Sequence, residues 1–189
     1  MKRLLTAITL TSALALAACA EDTESTDTSA AYESTTQAES ADNGHGDHPA
    51  DGGPAPAGIV EAQDPTYPVG TKVILNADHM SGMDGAEATI AGAFDTTTYS
   101  VSYTPTDGGE PVTDHKWVVH EELEDPGEAP LAEGSTVVLD AEHMSGMDGA
   151  EATIDSATEE TVYMVDFSAD GMEMTNHKWV VESEISPAE

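Results

Sequence analysis

His79-Met80-Ser81-Gly82-Met83-Asp84-Gly85-Ala86-Glu87-Ala88-Thr89-Ile90 returns without a change as His143-Met144-Ser145-Gly146-Met147-Asp148-Gly149-Ala150-Glu151-Ala152-Thr153-Ile154. Self-similarity at a fixed spacing marks a duplicated structural unit, so this stretch decides the architecture. The likeness extends outward on both sides. Gly70-Thr71-Lys72-Val73-Ile74-Leu75-Asn76-Ala77-Asp78 is echoed by Gly134-Ser135-Thr136-Val137-Val138-Leu139-Asp140-Ala141-Glu142, 64 positions later. His115-Lys116-Trp117-Val118-Val119 comes back as His177-Lys178-Trp179-Val180-Val181, now 62 positions later. The shorter offset is absorbed in a turn, 104–111 in one copy and 168–173 in the other. These limits set the first copy at 59–125, a Pro126-Gly127-Glu128-Ala129-Pro130 linker at 126–130, and the second copy at 131–189.

Each copy reads as all-β. Val73 to Leu75 is a β-branched run entered through Gly70, and Ala88-Thr89-Ile90 makes a second strand after the Gly-rich loop. Tyr99, Val101 and Tyr103 alternate with Ser100 and Ser102 and so share one face; Tyr163, Val165 and Phe167 share the corresponding face, with Met164 and Asp166 opposite. Trp117 and Val119 share a face of the last strand, as do Trp179 and Val181. Four or five short strands around one Trp predict a small SH3-like barrel or compact β-meander per copy. About sixty residues without a disulfide give a marginal core, so the two copies are expected to pack on each other.

The beginning of the chain reads differently. Lys2 and Arg3 form a positive n-region, Leu4 to Leu16 an apolar core too short to span a bilayer, and residues 1–18 a signal peptide. The single cysteine, Cys19, stands at the small-residue cleavage site. Leu16-Ala17-Ala18-Cys19 resembles the lipobox of bacterial lipoproteins, which implies cleavage before Cys19 and its lipidation. With Cys19 used as an anchor, no thiol remains for disulfides, thiolate metal sites or nucleophilic catalysis. Residues 19–58 then read as a disordered acidic tether. Between Ala20 and Gly58 there is no Val, Ile, Leu, Met, Phe or Trp, and little that could offset the entropy of ordering. Within it, His45 and His48 form a His-x-x-His pair able to pick up divalent metal.

The charge narrows the partners. Five Lys+Arg against 37 Asp+Glu leave a formal net charge of -32, which repels phosphate backbones and anionic headgroups. Nucleic acid is excluded as a partner, and membrane contact is expected through the lipid anchor only. Metal ions are what such a field attracts, although solubility in a saline habitat calls for the same acidity.

The residues with chemistry to offer are the His-Met-Ser-Gly-Met loops. His79, Met80 and Met83 in one copy and His143, Met144 and Met147 in the other combine imidazole with thioether. Thioethers select Cu(I), imidazole takes copper in either oxidation state, and neither donor is lost in an oxidising compartment. His115 and His177, beside the two Trp, could close each set from the last strand. Packing is the competing reading, since Met fills irregular gaps well and His79 could bond the loop backbone.

The succession Gly-x-x-Val, His-Met-x-Gly-Met-x-Gly-Ala-x-Ala-Thr-Ile, Thr-x-Tyr-x-Val and His-Lys-Trp-Val resembles the tandem YdhK-type domain of bacterial surface lipoproteins, over residues 67–185. The resemblance implies an extracytoplasmic, membrane-anchored protein that binds copper ions and serves copper sequestration or resistance, alone or with a copper-handling envelope partner. The sequence departs from that pattern at Asp114, which precedes His-Lys-Trp where the second copy has Asn176. The main alternative is an envelope adhesion or interaction module with no metal role. Calcium binding near Asp84, Asp107, Asp148 and Asp170 lacks the oxygen-ligand spacing of an EF-hand. No catalytic Ser/His/Asp order, phosphate loop or cysteine nucleophile is present, so an enzyme is not expected and no catalytic cofactor with it.

Overall fold

In a computed structural model, residues 48–188 are described; the signal peptide, Cys19, His45 and most of the tether lie outside them. Eight strands form one hydrogen-bonded antiparallel system: β1 (Val60–Glu61), β2 (Lys72–Leu75), β3 (Glu87–Tyr103), β4 (Val112–Val119), β5 (Thr136–Val138), β6 (Glu151–Ala169), β7 (Met172–Val181) and β8 (Ile185–Pro187). One-turn 3-10 helices follow β4 at His120–Glu122 and β7 at Glu182–Glu184. The fold is all-β and tandem, as the sequence predicts.

The strands are fewer and longer than the sequence pattern suggests. Ala88–Ile90 and Tyr99–Tyr103, read as two strands, are the ends of the single 17-residue β3. No turn separates them. Gly92 lies inside the strand, beside a register shift between Ile90 and Gly92, and a Cβ there would sit 2.7 Å from the Phe94 ring. Glycine inside a strand commonly marks a bulge or a close approach, not the end of pairing. β6 repeats this design, and the two long strands pair from Ala88↔Phe167 to Tyr103↔Ala152.

This central pair exchanges the copies. One core joins Val73, Leu75, Met83, Ala88 and Ile90 of the first copy to Tyr163, Val165, Phe167 and Val180 of the second. The other joins Tyr99, Val101, Tyr103 and Val118 of the first to Val137, Leu139, Met147 and Ile154 of the second. The expected aromatic faces of both copies are present, but each closes on the opening half of the other copy. The edges follow suit: β2 pairs with β8 (Val73↔Pro187, Leu75↔Ile185), and Leu123 bridges Leu139. Tyr67 donates its hydroxyl proton to the Ile185 carbonyl at 3.5 Å. The packing of copy on copy therefore goes beyond contact between two finished units, and neither copy owns a core.

The tryptophans belong to neither of these cores but to a third buried cluster that also draws on both copies. Trp179 is fully buried with Phe94, Val119, Val162, Met164 and Val181, its ring edge-on to Phe94 at 5.8 Å. Trp117 packs partly buried on the same cluster. The Lys116–Trp117 and Lys178–Trp179 peptides are both cis.

The tether boundary also moves. Of the residues 48–58 assigned to it by composition, 48–53 run as a strap along the second copy. Gly52 N–H donates to the Thr175 carbonyl at 2.9 Å and Thr175 N–H to the Ala50 carbonyl at 2.8 Å. Main-chain pairing to a strand edge needs no apolar side chain, which is why a search for hydrophobic residues passes over it.

Candidate metal centre

Four histidines of the two copies lie near one another. His79 and His143 sit in the loops after β2 and β5; His115 and His177 sit on β4 and β7, opposite Val101 and Val165. The loops are shaped alike, with Met83 N–H bonded to the Met80 carbonyl and Met147 N–H to the Met144 carbonyl. Gly82, Gly85, Gly146 and Gly149 hold positive φ, the conformation that glycine alone adopts without penalty. His115 and His143 approach to 6.1 Å between ring centroids.

Each loop histidine is held by a carboxylate from the other copy. His79 Nε2 donates to Glu184 at 2.8 Å, and His143 Nε2 donates to Glu122 at 2.9 Å. The same carboxylates accept the indole N–H groups across the copies, Trp117 to Glu184 at 3.0 Å and Trp179 to Glu122 at 2.8 Å. They also accept the Val181 and Val119 amides, and Lys178 Nζ stands 3.7 Å from Glu122. Burial pushes both carboxyls up, but these donors outweigh it and leave Glu122 and Glu184 below the ordinary carboxylate value. Two anions thus fix two imidazole rings with their Nε2 atoms committed.

The remaining ring nitrogens are not committed. His79 Nδ1, His143 Nδ1, His115 Nε2 and His177 Nε2 are buried without a hydrogen-bond partner; among the described residues the Tyr163 hydroxyl alone shares that state. Buried polar atoms are nearly always paired, so four such nitrogens in one region call for a group to fill them. His115 and His177 are lowered to about 3, by burial first and by neighbouring imidazoles after it, and so are neutral at physiological pH. A neutral imidazole such as His115 or His177 is the form that ligates metal, and a carboxylate on one ring nitrogen, as at His79 and His143, orients the other toward a ligand. This chemistry fits copper or another imidazole-preferring ion.

Two cavities divide these rings between them. One of about 300 Å³ is lined by Asp78, His79, His115, Lys116 and Met144 with His48. A second, narrow cleft is lined by Glu142, His143, His177 and Lys178, again with His48. Among the described residues no three His, Cys, Asp or Glu side chains already converge at metal-binding spacing. An ion would draw on an imidazole pair and a thioether, or pull the rings inward.

The methionines divide. Met83 and Met147 are fully buried in the two cores, Met80 belongs to the first core at 9% exposure, and none of the three lines a described cavity. Met80 and Met83 pack in the first core and Met147 in the second, where a long flexible thioether suits irregular gaps. Met144 is the exception. It is half-buried, lines the larger cavity and accepts the Tyr103 hydroxyl at 3.7 Å. Glu122, Glu184 and the docked His48 are functional candidates that the sequence reading left out of the site. The 62-residue spacing of Glu122 and Glu184, each five residues after its Trp, is the signal that could have found the two acids.

A duplicated all-β unit with crossed carboxylate–histidine pairs defines a tandem β protein with a shared histidine region. The chain belongs to the DUF1541 family, a family of unknown function, whose profile matches residues 69–120 and 133–182. It is 55% identical over 133 residues to the uncharacterized protein YdhK of Bacillus subtilis (strain 168), covering 69% of this chain and 65% of that protein's length. The crystal structure of YdhK at 2.00 Å matches with a TM-score of 0.70 and 53% identity, over 72% of this chain and 94% of that one. A solution structure of the YdhK C-terminal domain matches at 0.62 and 55% identity, over 64% and 93%.

Proposed function

We propose that this protein binds copper outside the cytoplasm, held to the envelope by a lipid on Cys19, and that it sequesters the ion without catalysing a reaction. The observation that carries the reading is the set of four buried, unpartnered imidazole nitrogens on His79, His115, His143 and His177. Imidazole is the principal donor, and Met144 adds the soft ligand that favours Cu(I) over zinc. Low coordination number is acceptable to Cu(I), which suits pairs of rings better than a closed tetrahedral cage. The alternative, an envelope adhesion or interaction module with no metal role, finds less support: among the described residues the exposed large apolar side chains are Val60, Val69 and Met172, none of them aromatic.

A competition titration against a Cu(I) chelator, with Cu(II) and Zn²⁺ in parallel, tests the proposal. The parent should bind Cu(I) preferentially, and His115→Ala with His177→Ala should cost at least about tenfold in affinity, the scale of a lost supporting group. Parent-like binding by that double variant would remove these rings from the site.

A further inference from the structure

The two half-sites are built from near-identical sequence, yet one feature sets them apart. The strap at 48–53 docks on β7 of the second copy and not on β4 of the first. Asp51 Oδ1 accepts from Asn176 Nδ2 at 3.0 Å and from Gly53 N–H at 2.9 Å, and Asp51 bridges Thr175 in parallel. Gly52 passes so close that a Cβ would stand 2.1 Å from the Asn176 carbonyl oxygen. The first copy offers the same backbone, with Asp114 and Asn176 both at positive φ, but a different side chain. Asp114 has no amide proton to give, and a carboxylate there would face the Asp51 carboxylate. The Asp114/Asn176 difference before His-Lys-Trp therefore favours the second copy as the seat of the strap.

Docking delivers an imidazole. His48 leads the strap and lies 5.5 Å from the His177 ring, centroid to centroid. It is also the one described residue that lines the His79/His115 cavity, the His143/His177 cleft and the acidic groove beside Glu142 and Asp148. We propose that His48 is a fifth metal-ligating imidazole, which joins the two half-sites into one centre with unequal halves and makes the second copy's side the tighter copper site. The inference rests on the copper reading above and deepens it. It assigns one histidine of the tether's His-x-x-His a place, with His48 at the centre.

The test uses the purified full chain, Cu(I) as the probe, and two variants. In the parent, the titration should resolve a tighter and a weaker binding step, and the His48 ring proton signal should move with the first. His48→Ala should weaken the first step by about tenfold or more, the scale of a lost metal-supporting group, and bring the two steps together. Asn176→Asp, which keeps every imidazole but denies the strap its amide, should shift the first step the same way by a smaller factor. A parent that binds no copper overturns both this inference and the proposed function. Parent-like titration by both variants, with a His48 signal that stays still, overturns the inference and leaves the copper reading standing.

Discussion

Trp179 and Glu122 are bonded at 2.8 Å, and they belong to different copies. The converse bond joins Trp117 to Glu184 at 3.0 Å. One carboxylate on each side thus answers an indole, a main-chain amide and an imidazole, and it is the point where strand exchange and the histidine region meet.

Removing Glu122 should be expensive. Its residue is 2% exposed, and its loss leaves Trp179, His143 and the Val119 amide without an acceptor. Glu122→Ala should cost about 3–5 kcal/mol, the usual result of breaking a buried ionic network from one side. Glu122→Gln keeps one acceptor oxygen and should cost less. Urea unfolding of the metal-free protein measures both, and an alanine variant as stable as the parent would discard the network as a structural element.

The methionines should separate by role. Met83→Ala and Met147→Ala empty fully buried positions and should each cost about 2–5 kcal/mol while leaving copper affinity near that of the parent. Met144→Ala gives up a half-buried contact and one hydroxyl bond, roughly 1 kcal/mol, but should lower Cu(I) affinity. Thermal unfolding and chelator competition on the same three variants would show the two effects falling on different residues.

A single copy should not fold alone as a monomer. Residues 131–189 carry half of each core, and the missing halves are supplied by residues 59–125. Because the copies are so alike, two molecules of the second can lend each other those halves, and the fragment should fold as a dimer whose stability rises with concentration. Sedimentation equilibrium with circular dichroism checks this; a folded monomer would mean that the exchange is dispensable.

Acid should loosen the fold in two windows. His115 and His177 are held at about 3 when folded, against ~6.5 for an unperturbed imidazole. Between these values the unfolded chain binds more protons, so stability is full above ~6.5 and falls as pH drops toward 3. Glu122 and Glu184 add a second loss lower down, as pH falls through their depressed folded values. Melting temperatures of the metal-free protein from about pH 7.5 to about pH 4 should fall, and His115→Phe with His177→Phe should flatten the upper part of that slope.

Much of the fold was legible because it depends on local alternation. Tyr99, Val101 and Tyr103 sit on one face as their spacing requires, and so do Tyr163, Val165 and Phe167. What could not be read is which copy each face closes on. Residues 88–90 and 152–154 are identical, so either could meet Tyr163 or Tyr99 with the same side chains, and only chain geometry decides. The site was half legible for a related reason. His79, His115, His143 and His177 declare their chemistry by type. By contrast, the burial that turns Met83 and Met147 into packing, and the docking that brings in His48, come from tertiary contacts that no spacing encodes.

The pairing of β2 with β8 brings the last strand back to the opening strand of the first repeat unit, with Tyr67 touching Ile185. The folded polypeptide is thus a ring with a single gap, and the 126–130 linker is the closed counterpart of that gap. Strand for strand, opening the chain at Gly127 and sealing it near Tyr67 would describe the same circuit. Where the ring is cut is then a matter of how the chain is made and tethered, and the two cores are indifferent to it.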